Sequence, residues 1–257
     1  MTKIKLGLPL EYQKLSEYFD AHNVSDETES KNAVIEKILK KYKVNTVLDL
    51  TCGTGSQVFF LAKYGYKLVG ADFSPALLEI ARARARKEKI YVKFIDGDMR
   101  TLQVGVFDAV ISIFNAIGHL TKADFAKAIR NVYKNLNPGG IFIFDIFNLE
   151  AISDEAVKNF AMQVRKQIND TQFFQIQCST INREQGLLTS YDSYMIQKKA
   201  EAPQIFANKF SLQIYTAAEL RAMLEKNGFK VLEQLGLDGS NFKSGISTSI
   251  LTVAKKC

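Results

Sequence analysis

Between residues 46 and 147, short apolar runs alternate with helical stretches, and this alternation constrains the fold more than any other feature of the chain. Residues 46–50 read as a strand ending at a glycine loop, 58–64 as a helix and 67–71 as a second strand. Ser74-Pro75, a cap followed by proline at the first helical position, opens a helix to about Lys87. Residues 91–95 and 107–114 supply a third and a fourth strand. Thr121-Lys122-Ala123-Asp124 is a capping-box pattern whose helix ends near Asn137-Pro138-Gly139-Gly140, and 141–147 is a fifth strand. Strands this apolar, separated by helices, call for a parallel sheet covered on both faces. Ligands on such sheets bind at the carboxyl ends of the strands, so functional residues are expected near 49–55, 72–74, 96–99, 112–119 and 145–148.

After about residue 160 the period changes. Residues 163–168, 173–180, 187–196 and 205–215 alternate polar and apolar side chains, with Asn169-Asp170 and Gln185-Gly186 as turns. That is antiparallel sheet with one wet face. A capping box at Thr216-Ala217-Ala218-Glu219 then opens a helix that stops at Asn227-Gly228, and 229–235 and 246–253 read as two last strands. The chain therefore divides into residues 1–45, a core of 46–160 with 216–257, and a β-rich insertion over 161–215.

Composition narrows the class. Of 257 residues, 47% are hydrophobic, enough for a sizeable core, and Lys and Arg exceed Asp and Glu by 34 to 27, a formal charge of +7. The densest basic run, Arg82 to Lys89, reads as a solvated helix end, so nucleic acid is not the expected partner. Cys52, Cys178 and Cys257 make no CxxC pair, and with His22 and His119 the only histidines, no metal site is expected. Lys3 and Lys5 precede Pro9, Glu11 and Lys14, which interrupt any signal-peptide core, and no stretch has membrane-spanning length. A reduced, cytoplasmic enzyme fits these properties.

The strand ends carry the chemistry. Gly53-Thr54-Gly55 lets backbone pass close to a ligand, but Val58 stands where a dinucleotide fingerprint needs its third glycine. Asp49 at the same loop would repel phosphate and suit an ammonium. Asp72 can accept two hydrogen bonds from ribose hydroxyls. Asp98 offers an acceptor to an adenine amino group, beside a Met99 thioether that can pack on the ring. Together they suit an adenosine with a cationic amino-acid tail and no phosphate.

On these residues, 46–147 resemble the class I S-adenosylmethionine-dependent methyltransferase domain. Val47-Leu48-Asp49-Leu50-Thr51-Cys52-Gly53-Thr54-Gly55 resembles its first motif, Val69-Gly70-Ala71-Asp72-Phe73-Ser74 its ribose motif and Gly97-Asp98-Met99 its adenine motif. The turn Asn137-Pro138-Gly139-Gly140 resembles the one before the fifth strand. The resemblance implies a Rossmann-like seven-stranded sheet with S-adenosylmethionine as cofactor. Asp49 and the loop Cys52, Gly53, Thr54 and Gly55 would hold the methionine moiety, Asp72, Phe73 and Ser74 the ribose, and Asp98 with Met99 the adenine.

More narrowly, Phe114-Asn115-Ala116-Ile117-Gly118-His119-Leu120 and the late insertion are similar to glycine/sarcosine and amino-sugar N-methyltransferases, in which the insertion helps enclose the acceptor. Residues 1–45, with Tyr12, Leu15, Tyr18 and Phe19, resemble an N-terminal helical lid in which Tyr18 contacts cofactor and Leu15 faces the core. Methyl transfer from a sulfonium mainly requires alignment and exclusion of water. His119 is the candidate base, with a pKa naturally near neutrality or else a packing role, and Asn115 and Phe114 are lining candidates. Cys52 is expected to be a loop residue and no nucleophile. The place of an Asn/Asp-Pro-Pro-aromatic motif reads Asn115-Ala116-Ile117-Gly118, which argues against base amines as acceptors. Tyr191, Tyr194, Arg165 and Arg183 either recognise an acceptor or face solvent. The leading reading is methylation of nitrogen or oxygen on a small molecule; RNA or protein methylation and a catalytically silent cofactor-binding protein stay open.

Overall fold

Two sheets organise the chain. The computed structural model describes residues 6–20, 26–159 and 161–257; Lys3, Lys5 and His22 lie outside the described residues. In chain order the strands are β1 (Thr46–Asp49), β2 (Lys67–Asp72), β3 (Lys93–Asp96), β4 (Phe107–Ser112), β5 (Leu136–Phe147), β6 (Ala161–Ile168), β7 (Thr171–Asn182), β8 (Leu187–Lys198), β9 (Gln204–Gln213), β10 (Phe229–Leu235) and β11 (Ser249–Lys256). The helices are α1 (Asp26–Lys41), α2 (Ser56–Ala62), α3 (Pro75–Glu88), α4 (Lys122–Lys134), α5 (Asp154–Asn159) and α6 (Ala217–Glu225).

The seven-stranded sheet has the order β10-β11-β5-β4-β1-β2-β3. β11 runs antiparallel to both of its neighbours, whereas the β1, β2, β3, β4 and β5 pairs are parallel. The period-2 pleat sends alternate side chains to opposite layers. In β5, Phe142 and Phe144 join one core with Phe125, Ile129 and Val132 of α4 and with Leu220 and Leu224 of α6. Ile141 and Ile143 join the other, with Ile35, Ile38 and Leu39 of α1. Each such buried Leu, Ile or Phe contributes about 1.5–3 kcal/mol. The sheet is the α/β architecture the sequence pattern requires, with the antiparallel insertion standing apart from it.

Local signals place the helix starts. Ser74 caps α3 by accepting from the Leu77 N–H, Thr121 caps α4, and Thr216 with Glu219 closes a full capping box on α6. One expectation changes. Asn137-Pro138-Gly139-Gly140 lies inside β5 as an irregularity in its pairing with β4, because Leu136 already pairs with Phe107. Similarly, β3 begins at Lys93, and Tyr91 before it is almost wholly exposed.

β6, β7, β8 and β9 form a four-stranded antiparallel sheet in sequence order. Of the segment 1–45 read as a helical lid, the described parts have two placements. α1 packs into the sheet core through Ile35, Ile38 and Leu39, while residues 6–20 run past the carboxyl ends of the strands in two short 3-10 turns. The Leu6 carbonyl accepts from the Ser211 N–H at 2.6 Å, and the Tyr194 hydroxyl donates to the buried Glu11 carboxylate at 2.9 Å. The opening segment is thereby tied to the insertion.

Candidate functional site

The cavity at the carboxyl ends of the strands holds about 580 Å³, in the range of ordinary small-molecule sites. Its floor begins at the loop after β1. Gly53 has φ +52°, and its N–H donates to the Asp72 carboxylate at 2.8 Å. A side chain there would press on the Phe19 ring, 3.4 Å from an added Cβ. Gly55 has φ +89°, and a Cβ would meet Phe59 at 2.7 Å. Both positions favour glycine for their backbone, and Gly55 for space as well. Cys52, Gly53 and Thr54 line the cavity; Gly55 does not, serving instead as the cap of α2.

Asp49, at the end of β1, is buried below the loop, outside the cavity wall. One of its oxygens accepts from the Thr51 N–H at 3.3 Å and the other has no partner. Burial, with a smaller contribution from Asp72, pushes its pKa up to about 8. Asp72, at the end of β2, lines the cavity and accepts from the Gly53 and Ser74 N–H groups. Burial raises it to about 6 against those bonds. The carboxylate retains acceptor capacity for a ligand. Phe73 lines the cavity with its ring stacked on Tyr12 at 5.9 Å. Ser74 does not reach the wall, because its hydroxyl caps α3 and donates to the Tyr12 carbonyl.

Asp98 and Met99 follow β3, and both line the cavity. Asp98 is not the free acceptor expected from the sequence. The Arg100 backbone N–H and guanidinium bond both of its oxygens and hold its pKa below the usual carboxylate range. Arg100, a wall residue the sequence reading missed, also lies 3.5 Å from Asp124. A second omission is Gln57, on the first turn of α2, which lines the cavity with a buried, unpartnered amide nitrogen.

The roof comes from residues 6–20 and the turn after β4. Tyr12 and His119 meet edge to face with ring centres 5.3 Å apart, and Phe210 of β9 lies 6.0 Å from the imidazole. His119 lines the cavity, and burial lowers its pKa to about 4, well below the neutrality its side chain type suggests. It does not cap α4, whose cap is Thr121. Phe114 is on the wall but Asn115 is not. Both have positive φ (64° and 57°), and their N–H groups converge on the fully buried Asp145, which ends β4 at Ser112, short of the 114 expected. Tyr18 also departs from expectation: its ring stacks on Phe173 of β7 at 5.2 Å, off the cavity, while Leu15 is buried in the same cluster. In the insertion, Tyr194 bonds Glu11, Arg183 bonds Asp154, Tyr191 and Arg165 are exposed, and none of the four lines the cavity.

An adenosine with a cationic tail fits these groups. On the cavity wall Asp72 supplies an acceptor, and Phe73 and Met99 supply apolar surface, while Asp49 lies beneath with one unpartnered oxygen. Two buried carboxylates near the glycine loop disfavour a phosphate. Burial holds the Cys52 thiol neutral, with a raised pKa, so it offers no thiolate. Among the described residues, no group of three or more His, Cys, Asp or Glu is arranged to hold a metal, and no helix is long and apolar enough to cross a membrane.

Comparison with known proteins agrees with this geometry. Residues 47–140 match the family described as a methyltransferase domain. The chain is similar to demethylmenaquinone methyltransferase of Thermus thermophilus, 40% identical over 98 residues, 37% of this chain and 43% of that protein. It is also similar to glycine/sarcosine N-methyltransferase of Parasynechococcus marenigrum, 35% identical over 120 residues, 45% of this chain and 43% of that one. The chain thus spans less than half the length of these two relatives. The solved structure of an S-adenosylmethionine-bound amino pentose methyltransferase from Micromonospora echinaspora superposes with a TM-score of 0.74 at 21% identity, over 98% of this chain and 100% of that one. That likeness identifies the fold, and the domain match identifies residues 47–140 as a methyltransferase domain.

Proposed function

We propose that this chain transfers a methyl group from S-adenosylmethionine to a nitrogen or oxygen of a small-molecule acceptor. The observation that carries the reading is the pair of buried carboxylates at the strand ends: Asp72 open to the cavity, Asp49 with an unpartnered oxygen beneath it. In this reading Asp72 receives the ribose hydroxyls, and Asp49 acts from beneath the loop, outside the cavity wall, as a nearby carboxyl group. Phe73 and Met99 cover the adenine, whose amino group shares Asp98 with Arg100.

The bound cofactor would supply an already activated methyl group on a positively charged sulfur. The protein's task is then to align the acceptor and keep water out. Tyr12, Phe114 and His119 form the wall for that purpose. With its pKa near 4, His119 stays neutral at physiological pH and offers a ring nitrogen as hydrogen-bond acceptor to the incoming N–H or O–H. It takes up a proton poorly, so it acts as an orienting group here. The insertion reaches this end of the cavity through Phe210, which suits a role for residues 161–215 in covering the acceptor.

The test is calorimetry with S-adenosylhomocysteine, followed by a methyl-transfer assay over a panel of small amines, hydroxy compounds and RNA. Binding together with turnover of a small acceptor supports the reading. Binding without turnover of any acceptor points to a silent cofactor-binding protein, and turnover of RNA alone overturns the small-molecule assignment.

A further inference from the structure

Among the described wall residues, the charged groups belong to the floor and to the start of α4. They are Asp72, Asp98, Arg100 and Asp124, and Arg100, the one cation of the four, is bonded to Asp98 and lies 3.5 Å from Asp124. The roof presents Leu6, Leu8, Tyr12, Phe114 and His119 to the cavity. Acids of the opening segment are turned elsewhere: Glu11 accepts from Tyr194 and Asp20 from Thr54, both off the wall. His119 sits between the Tyr12 and Phe210 rings, and its burial makes it a poor proton acceptor. A carboxylate or an ammonium brought against these groups would be desolvated without a counter-charge. An alkyl amine also arrives protonated at neutral pH, with no lone pair until a base removes the proton.

Resting on the methyl-donor reading above, we infer that the acceptor is an uncharged aryl amine, an amino group on an aromatic ring that bears no carboxylate. Such a nitrogen is neutral near pH 7 and brings its own lone pair, so transfer requires no base. That pair forms the new C–N bond as the S–C bonding pair returns to sulfur, and the methylated nitrogen then gives a proton to water. One N–H of the amine donates to the His119 imidazole, which turns the nitrogen toward the donor. The ring lies against Tyr12 and Phe114, where offset and edge-to-face contacts between aromatic rings are favourable. The roof thereby sorts acceptors by charge and shape. Amino acids bring a carboxylate, alkyl amines bring a proton, and hydroxyl groups need a base.

The test measures methyl transfer by the full chain from S-adenosylmethionine, at neutral pH, to para-toluidine, cyclohexylamine, sarcosine and para-aminophenylacetate. The first two contrast an aryl with an alkyl amine, and the last adds a carboxylate to the aryl amine. Para-toluidine should give a kcat/KM at least about tenfold above each of the others. Ligand-observed NMR with S-adenosylhomocysteine present should also rank para-toluidine above para-aminophenylacetate in affinity. Phe114→Leu should raise the para-toluidine KM about threefold to tenfold and the cyclohexylamine KM by less; an equal rise for both would overturn the ring contact. If that variant is insoluble, the wild-type ranking decides alone. A higher kcat/KM for cyclohexylamine, sarcosine or para-aminophenylacetate would overturn the inference and keep the methyltransferase reading. Turnover of none of the four by protein that binds S-adenosylhomocysteine would overturn it too, whereas wild type that fails to bind S-adenosylhomocysteine would defeat the donor reading itself.

Discussion

The floor and the roof of the cavity are built on opposite principles. The floor is a set of neighbouring strand ends whose bonds run within one loop or between adjacent strands, as Gly53 to Asp72 does. The Ser74 N–H bonds Asp72 two residues before it, the Ser74 hydroxyl caps the helix that follows, and Thr51 bonds Asp49 two residues before it. The roof is assembled from distant segments: Glu11 meets Tyr194, Leu6 meets Ser211, and Tyr12 meets His119. Such a floor is held by the sheet itself. A roof of long-range contacts can change its lining residues without disturbing the sheet, which suits a common donor and a variable acceptor.

Damage to the floor should abolish donor binding, whereas damage to the roof should spare it. The largest effect is expected for Gly53→Val. A β-branched residue at φ +52° is strained by about 1–2 kcal/mol or more and its side chain enters the cavity, so S-adenosylhomocysteine affinity should fall at least a hundredfold by calorimetry. Circular dichroism should show the sheet retained. Asp72→Ala follows. It removes the proposed ribose acceptor and strands the Gly53 and Ser74 N–H groups, each worth about 1–3 kcal/mol, so both affinity and melting temperature should drop. Unchanged affinity in that variant would break the ribose assignment.

Acidity sharpens the comparison further. The floor carboxylates have raised pKa values, about 8 at Asp49 and about 6 at Asp72. A cationic tail prefers the ionised form of Asp49, so S-adenosylhomocysteine affinity should rise between pH 6 and 8, with a proton released on binding; Asp49→Asn should flatten that rise. Stability of the ligand-free protein has the opposite sign. A raised carboxyl pKa contributes stability that is present below about pH 4 and is lost as pH rises through about 8. Asp49→Asn should therefore melt higher than wild type at pH 8.5, in thermal melts without ligand. The smallest effect is expected from the roof. Tyr194→Phe deletes one buried hydrogen bond to Glu11, costing about 1 kcal/mol, and should raise the acceptor KM while S-adenosylhomocysteine affinity stays within about twofold.

This division also decides what could be read from the sequence. Asp72, Met99 and the Cys52-Gly53-Thr54 run were legible because their signal is a strand followed at once by a loop. The seven strands were legible from their apolar runs, and the insertion from its period of 2. Tyr18 was misplaced because its partner Phe173 arrives from a sheet far along the chain. Asn115 was misplaced because Asp145 gathers the backbone of its turn, an event with no local signature. Gln57 gave no signal either: a glutamine early in a helix is ordinary, and only the missing partner of its amide marks it. The low pKa of His119 likewise depends on Tyr12 and Phe210 closing around the ring.

Leu6 has one more consequence. By bonding to Ser211, and with the Leu8 carbonyl accepting from the Asn208 side chain, the opening segment covers the outer side of β9. An uncovered strand edge is a template for pairing with another chain, and folded proteins shield such edges. Here the shield and the roof are the same few residues. A substitution that loosens this segment would therefore bare the β9 edge as well as open the cavity.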